Sequence, residues 1–127
     1  MNKSDLENKL KQLNTEDFIW VIYLGIIFFS WYSNSLERKY YVYNDLKSKE
    51  KYRHINEIIF TILLIVYIYF LKGSYEDYKN LKESDSNKKK KLVTLAFLAS
   101  LLITISGAIF LYISFIDNNL DVELAFN

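Results

Sequence analysis

No cysteine and no proline occur in the 127 residues, and glycine occurs only at positions 25, 73 and 107. The absence of cysteine excludes disulfides, thiolate chemistry, zinc fingers and lipidated cysteines. Because glycine is so sparse, the glycine-rich loops that bind phosphates and dinucleotides are excluded as well. The formal net charge is +1, so no strong overall field attracts nucleic acid. The functional signal must therefore come from the apolar residues and from where the charges lie.

The apolar residues are concentrated in separate blocks. A mean hydropathy of +0.01 resembles that of a soluble protein, but it averages apolar blocks with lysine-rich segments. The strongest block, residues 92–116, has no formal charge in 25 residues. At about 1.5 Å per helical residue, this block is longer than the roughly 30 Å hydrocarbon core of a bilayer. It predicts a transmembrane helix.

Two further blocks, residues 18–36 and 55–72, predict two more spans. The first has 19 residues without formal charge, with Trp20 and Trp31 towards its ends, where interfacial aromatic residues belong. Asn56 is the predicted N-cap of the second span, and Gly73 is its predicted stop. The sequence thus predicts one all-α domain, an integral membrane bundle of three transmembrane helices. Polar loops are predicted at 37–54 and 73–91, followed by an acidic tail at 117–127.

Residues 1–14 carry mixed charges and lack an apolar core with a cleavage site, so we do not expect a signal peptide. Ser4 and Glu7 have the spacing of a capping box, and three leucines share one helical face. This pattern predicts a short interfacial or cytosolic helix, and the alternative is a partly frayed terminus. Thr15, followed by two acidic residues, is the predicted N-cap of a separate first span.

Small residues recur along the last span. Ala96, Ser100, Thr104 and Ala108 are spaced four apart, and Gly107 widens the same stripe. Small residues at this spacing allow helices in lipid to approach closely and to form hydrogen bonds, so the stripe predicts a helix-packing face. Its neighbour could be another span of this chain or a second copy. Alternatively, the hydroxyls bond back to their own helix and no packing face exists.

Four consecutive lysines, Lys88, Lys89, Lys90 and Lys91, precede the last span. Cations at a helix N-terminus oppose the helix dipole, so another cause must favour them. The positive-inside rule and attraction to anionic lipid headgroups supply that cause. We therefore expect these lysines to bind lipid headgroups or a protein partner.

The distribution of basic residues predicts the topology of a multi-pass protein of the cell membrane. With three spans, the N-terminus and the second loop share one side of the membrane and carry ten basic residues. The first loop and the tail share the other side and carry six. Because cytoplasmic loops carry the excess of Lys and Arg, the N-terminus is predicted to be cytoplasmic and the C-terminus extracytoplasmic.

His54 and Glu57 form the one titratable pair at a span boundary. Their spacing places them on one helical face, where they could bind a metal or relay protons. Two ligands are too few for a specific zinc site, and Glu57 in a first helical turn would be stabilised by the dipole alone. Ser106 with His54 would supply a nucleophile and a base, but the two lie at different depths in the predicted topology. The sequence therefore predicts no catalytic residue, no cofactor and no metal.

Tyrosines and basic residues alternate through the first loop, from Tyr40 to Arg53. Such interleaving also occurs in sites for single-stranded nucleic acid, but no accompanying fold motif is present. Beside a membrane span, anionic lipid is the simpler partner. We therefore expect a bilayer partner and no nucleic acid.

The end of the chain carries the only family resemblance in the sequence. The last span ends in FLYISFI and is followed by Asp117, Leu120, Asp121, Val122, Glu123, Ala125, Phe126 and Asn127. This segment, about the last quarter of the chain, resembles the C-terminus of small bacterial membrane proteins with several spans. The resemblance implies a membrane location and no particular activity.

Taken together, the patterns favour a non-enzymatic interaction or accessory subunit that packs through the small-residue face of the third span. Its expected partners are the bilayer with its anionic lipids and either a second copy or a larger membrane protein. The alternative is a holin-like protein that oligomerises into a pore, with Ser100, Thr104 and Ser106 facing water. Holins typically end in a basic tail, whereas this chain ends in an acidic one.

Overall fold

The structure is a computed structural model that describes residues 2–124. It contains three α-helices, α1 (Lys3–Tyr43), α2 (Leu46–Lys79) and α3 (Asn87–Ile116), and no strand within the described residues. All three helices are long and apolar enough to cross a membrane. The predicted all-α fold with three helices of spanning length is therefore confirmed.

Asparagine residues bound α1 at both ends. The side chain of Asn2 accepts a hydrogen bond from the backbone N–H of Asp5 at 2.8 Å and so caps the first turn. At the other end, Asn44 adopts the left-handed conformation with φ 53°. Asparagine tolerates this conformation better than most residues, which makes it a suitable helix stop. The helix between these two caps is 41 residues long.

The predicted separate helix over residues 1–14 is wrong, because α1 continues through it into the first span. Thr15 is not an N-cap. It lies inside α1, where its hydroxyl donates to the carbonyl oxygen of Lys11 at 3.1 Å. Ser4 is not an N-cap either. It lies in the first turn of α1, and Asn2 is the cap. Threonine and serine side chains can either cap a helix or bond back to a carbonyl oxygen within it. No glycine or proline occurs before Gly25, so nothing in this part of the sequence interrupts the helix.

Asp45 organises the start of α2. Its carboxylate accepts hydrogen bonds from the backbone N–H of Lys47 at 3.2 Å and from the hydroxyl of Ser48 at 3.0 Å. The hydrogen bond from the Ser48 hydroxyl is the main cause that lowers the pKa of Asp45 from its ordinary value.

Asn56 and Gly73 both lie within α2, so the predicted N-cap and stop at these positions are wrong. Gly73 has no positive φ that would end a helix.

The connection before α3 is a set of turns that ends at Ser86. The hydroxyl of Ser86 accepts a hydrogen bond from the backbone N–H of Lys89 at 3.1 Å, which caps α3. The connections are only residues 44–45 and 80–86, so the predicted polar loops 37–54 and 73–91 are mostly helical. Hydropathy indicates where a chain meets lipid, whereas capping side chains determine where a helix ends. Ala125, Phe126 and Asn127, the end of the predicted acidic tail, lie outside the described residues.

The chain divides into two units, Met1–Tyr52 and Arg53–Asn127. In the first unit, the buried residues of α1 include Ile19, Ile26 and Ser33, which are seven residues apart and share one face. Near the turn between α1 and α2, the ammonium of Lys49 lies 5.3 Å from the ring centre of Tyr40. The second unit contains most of α2, all of α3 and the segment that follows it.

Candidate functional site

In the second unit, α2 and α3 pack as an antiparallel hairpin, with contacts from Arg53 and Asp117 at one end to Tyr78 and Phe97 at the other. Successive contacts pair later residues of α2 with earlier residues of α3, as antiparallel helices require. We call this line of contacts the α2/α3 seam. It comprises the pairs Phe60 and Phe110, Tyr67 and Gly107, Tyr67 and Thr104, Ser74 and Ser100, and Tyr78 and Phe97.

Gly107 is the point of closest approach in the α2/α3 seam. A Cβ atom built on this glycine would lie 2.8 Å from Cδ2 and 3.1 Å from Cε2 of Tyr67. Such a contact is too short for carbon atoms, so either the ring or the helix would have to move. Glycine at this position therefore allows the Tyr67 ring to lie directly on the backbone of α3.

Two hydroxyl contacts cross the seam. The hydroxyls of Ser74 and Ser100 lie 2.9 Å apart and share a hydrogen bond. The Thr104 hydroxyl lies 3.3 Å from the Tyr67 carbonyl oxygen and 2.7 Å from that of Ser100 in its own helix. Hydrogen bonds between membrane helices contribute about 0.6 kcal/mol each on average. These hydroxyls satisfy one another and help to fix the register of the hairpin.

The structure divides the predicted packing face. Ser100, Thr104 and Gly107 contact α2, whereas Ala96 and Ala108 are exposed. One row of less exposed positions on α3 alternates in steps of four and three, because a row spaced strictly by four drifts about 40° per step around a helix of 3.6 residues per turn. The row consists of Val93, Phe97, Ser100, Thr104, Gly107, Leu111 and Ser114, and the other less exposed positions of α3 are Lys90, Leu101, Phe110 and Ile113.

His54 and Glu57 lie together near the end of the seam. The Nδ1 atom of His54 is 4.0 Å from Oε2 of Glu57, with the histidine 74% exposed and the glutamate 23% exposed. The predicted place of Glu57 in a first helical turn is wrong, because α2 begins at Leu46. Within residues 2–124, no group of three or more His, Asp or Glu side chains is arranged to hold a metal ion. The pair is therefore a weak surface ion pair at most.

Arg53, which the sequence reasoning did not single out, joins α2 to the end of α3. Its Nε donates to the carbonyl oxygen of Asp117 at 3.1 Å, and its Nη2 donates to Oδ1 of Asn118 at 2.8 Å. A cation at the C-terminus of a helix complements the dipole of that helix. The signal available in the sequence was that Arg53 and Asp117 flank two span ends that the predicted topology places on the same side.

Asp117 organises the segment that follows α3. Its carboxylate accepts hydrogen bonds from the backbone N–H groups of Val122, Asp121 and Asn119 at 2.8, 3.1 and 3.3 Å. These bonds lower the pKa of Asp117 from its ordinary value, and the bond from Val122 has the largest effect. The charge of Arg53 lowers the pKa further by a smaller amount. The acidic tail therefore begins as an ordered turn.

The four lysines before the third span lie in the first turns of α3 and differ in their contacts. Lys89 Nζ lies 3.2 Å from a carboxylate oxygen of Asp85, and Lys90 Nζ donates to the carbonyl oxygen of Glu83 at 3.0 Å. Lys88 and Lys91 are exposed, and their ammonium groups have no hydrogen bond or ion pair within the described part of the chain. The lysine run therefore contains two tethered and two unpaired cations.

Ser106 lines a groove of about 160 Å³ beside Gly107, which is otherwise bordered by apolar and aromatic side chains. Its neighbour Gly107 lies against Tyr67, and His54 is 13 residues before Tyr67 along α2, which corresponds to ~20 Å. The structure thus does not bring Ser106 and His54 together as nucleophile and base. The second unit is thus a packed apolar hairpin with polar groups at its two ends.

Comparison of the chain with protein-family models, with curated proteins and with solved structures finds no match.

Proposed function

We propose that this protein is a small integral membrane protein with a non-enzymatic role, an interaction or accessory subunit that associates through α3. The observation that carries the proposal is the exposure of the most apolar helix. In the most apolar 18-residue window of α3 only 6% of residues are buried, compared with 22% in α1 and 28% in α2. A helix that its own chain covers so little is available to lipid and to a second membrane protein.

The two exposed alanines of the predicted packing face support association through α3. Ser100, Thr104 and Gly107 are used within the chain, but Ala96 and Ala108 lie on opposite flanks of the α2/α3 seam and are exposed. Alanine beside a tightly packed pair leaves room for a third helix to approach closely. The partner we propose is a second copy or a larger membrane protein.

The proposed orientation places the N-terminus in the cytoplasm and the acidic end of the chain outside. It rests on the ten basic residues that accompany the N-terminus and the second connection, compared with six on the other side. A cell membrane, bacterial by the resemblance of the tail, is the location that fits this distribution.

The contacts of the hydroxyl groups favour a packing role over a holin-like pore. A water-filled channel needs polar groups that face its lumen. The hydroxyls of Ser100 and Thr104 instead form hydrogen bonds inside the hairpin. Only Ser106, among the three residues considered for a lumen, is exposed.

The test is to express the full chain, measure the membrane potential and purify the protein in mild detergent. We expect an unchanged potential and a stoichiometric partner, whether a second copy or another membrane protein. Ala96→Leu and Ala108→Leu should reduce the amount of partner several-fold, because a larger side chain prevents close approach. Leu95→Ile is the matched control, since it conserves volume on the same helix and should leave the partner in place.

Two results would contradict the proposal. Loss of membrane potential that either alanine variant abolishes would identify a pore. A purified protein that is monomeric, retains no partner and has an activity that His54→Ala or Glu57→Gln removes would identify an enzyme.

A further inference from the structure

The two unpaired lysines at the start of α3 lie on a different side of the helix from the two tethered ones. Lys90 precedes Val93 and Phe97 by three and seven residues, which places it above the α2/α3 seam. Lys89 lies near the same side, where Asp85 holds its ammonium. Lys88 and Lys91 are three residues apart, share a face and point away from the seam.

The face below Lys88 and Lys91 is made of exposed leucines. Leu92 and Leu95 follow these two lysines at a spacing of four, and Leu98 and Leu102 continue the face along α3. Each of the four side chains is about half exposed, between 48% and 56%. We call the surface formed by Lys88, Lys91, Leu92, Leu95, Leu98 and Leu102 the lysine–leucine face.

We propose that the lysine–leucine face binds an anionic phospholipid, with its phosphate at Lys88 and Lys91 and its acyl chains along the leucines. The order of the groups matches the order in a lipid, because the cations lie at the end of the span and the leucines extend from them into the hydrocarbon. Unpaired ammonium groups near a membrane surface attract anionic headgroups. The proposal rests on the membrane location in the proposed function and adds the identity of the ligand.

A general effect of positive charge does not account for this arrangement. All four lysines contribute to the positive-inside bias, but Lys89 and Lys90 already have oxygen partners in the chain. A headgroup that bound either of them would compete with an existing contact. The lipid is therefore expected to distinguish between two pairs of lysines that are adjacent in sequence.

The experiment compares two double variants with the same change in charge. The full chain is purified and titrated with phosphatidylglycerol or phosphatidylcholine, and bound lipid is counted by native mass spectrometry. Lys88→Gln with Lys91→Gln should weaken phosphatidylglycerol binding by on the order of 30-fold, the combined attraction of two lysines near anionic lipid. Lys89→Gln with Lys90→Gln is the matched control and should change this affinity by less than about threefold.

Several outcomes would overturn the inference. Equal losses in the two double variants would show a diffuse charge effect, and equal affinity of the unaltered chain for both lipids would show that no anionic site exists. Circular dichroism confirms that each variant keeps its helices. A chain that an alkaline wash releases from membranes would refute the proposed function itself, whereas a chain that stays inserted without lipid discrimination would refute only this inference.

Discussion

At Gly107, the lack of a side chain determines how closely α2 and α3 approach. The Tyr67 ring lies 2.8 Å from the position that a Cβ would take. In the two helical turns before this contact, Thr104 and Ser100 place their hydroxyls against polar atoms instead of lipid. A few small residues thus combine close packing with satisfied hydrogen bonds, which is the combination that holds helices together when lipid is the solvent.

Gly107→Ala and Gly73→Ala should change stability in opposite directions. Alanine at either position gains helix propensity, worth about 1 kcal/mol, but only at position 107 does the new methyl group collide with Tyr67. At position 73, nothing lies within 4 Å of the added Cβ. We expect Gly107→Ala to be less stable than Gly73→Ala by about 1–3 kcal/mol, the usual cost of overpacking. Unfolding in mixed micelles of increasing denaturing detergent measures the difference, and equal stability would refute the close contact.

Asp117 should make the order of the following turn depend on pH. Because its folded-state pKa is lowered, its stabilisation is present above about pH 3.9, the ordinary value for aspartate. It should be lost as the pH falls through the lowered pKa. Asp117→Asn should remove hydrogen-exchange protection from the amides of Asp121 and Val122 at neutral pH, since the amide side chain accepts more weakly. The control Asp121→Asn should keep that protection at Val122, and protection that survives in Asp117→Asn would contradict this role.

At the level of the helices, the ends of each element and the ends of each span are set by different groups. α1 has 41 residues, about 60 Å of helix, which is twice the hydrocarbon thickness of a bilayer. Its apolar part indicates the span, whereas Asn2 and Asn44 determine where the helix begins and ends. The same holds for α3, which begins with a serine cap and four lysines before its apolar residues.

Ser86→Ala should destabilise the first turn of α3. The hydroxyl of Ser86 satisfies the N–H of Lys89, and the four lysines that follow already oppose the helix dipole. Loss of such a cap costs about 1 kcal/mol. Faster amide hydrogen exchange over Lys88–Lys91 would report it. Ser84→Ala in the same connection is the control and should have no effect, because its hydroxyl makes no hydrogen bond within the described residues.

At the scale of the whole molecule, apolar side chains cover much of the exposed surface of all three helices. Trp20 and Trp31 are 68% and 69% exposed, and only 6% of the residues in the most apolar window of α3 are buried. Soluble proteins rarely expose large continuous apolar patches, whereas a lipid-facing surface consists of them. The pattern of exposure therefore agrees with three helices of spanning length.

Brominated phospholipids should quench the fluorescence of both tryptophans in reconstituted vesicles. Trp20 and Trp31 are the only two in the chain and lie 11 residues apart, or about 16 Å along α1. Bromine near the headgroup should quench more strongly than bromine at the chain end, since tryptophan prefers the interface. Trp20→Phe and Trp31→Phe separate the two signals. Emission that is insensitive to bromine, or a chain that is monodisperse in plain buffer, would contradict a membrane location.

The order of the amino acids is enough to predict that the chain is helical and that three segments are apolar enough to cross a membrane. Uninterrupted runs such as residues 92–116 permit no other structure in lipid, because every backbone polar group must be satisfied within the segment. It also identified Ser100, Thr104 and Gly107 as residues suited to helix contact. The caps were harder to predict, since Thr15 and Asn56 have the same chemistry as the true caps Asn2 and Ser86.

The face of α3 that meets α2 and the identity of the unpaired lysines become visible only in the folded chain. Helical spacing defines a stripe such as Ala96 to Ala108 but not the helix that covers it, and only the contacts with Tyr67 and Ser74 show which of its residues α2 covers. In the same way, the four consecutive lysines differ in their contacts only because folding brings Asp85 beside Lys89 and the Glu83 carbonyl beside Lys90. These choices depend on atoms that are brought together by folding, and the order of residues alone does not contain them.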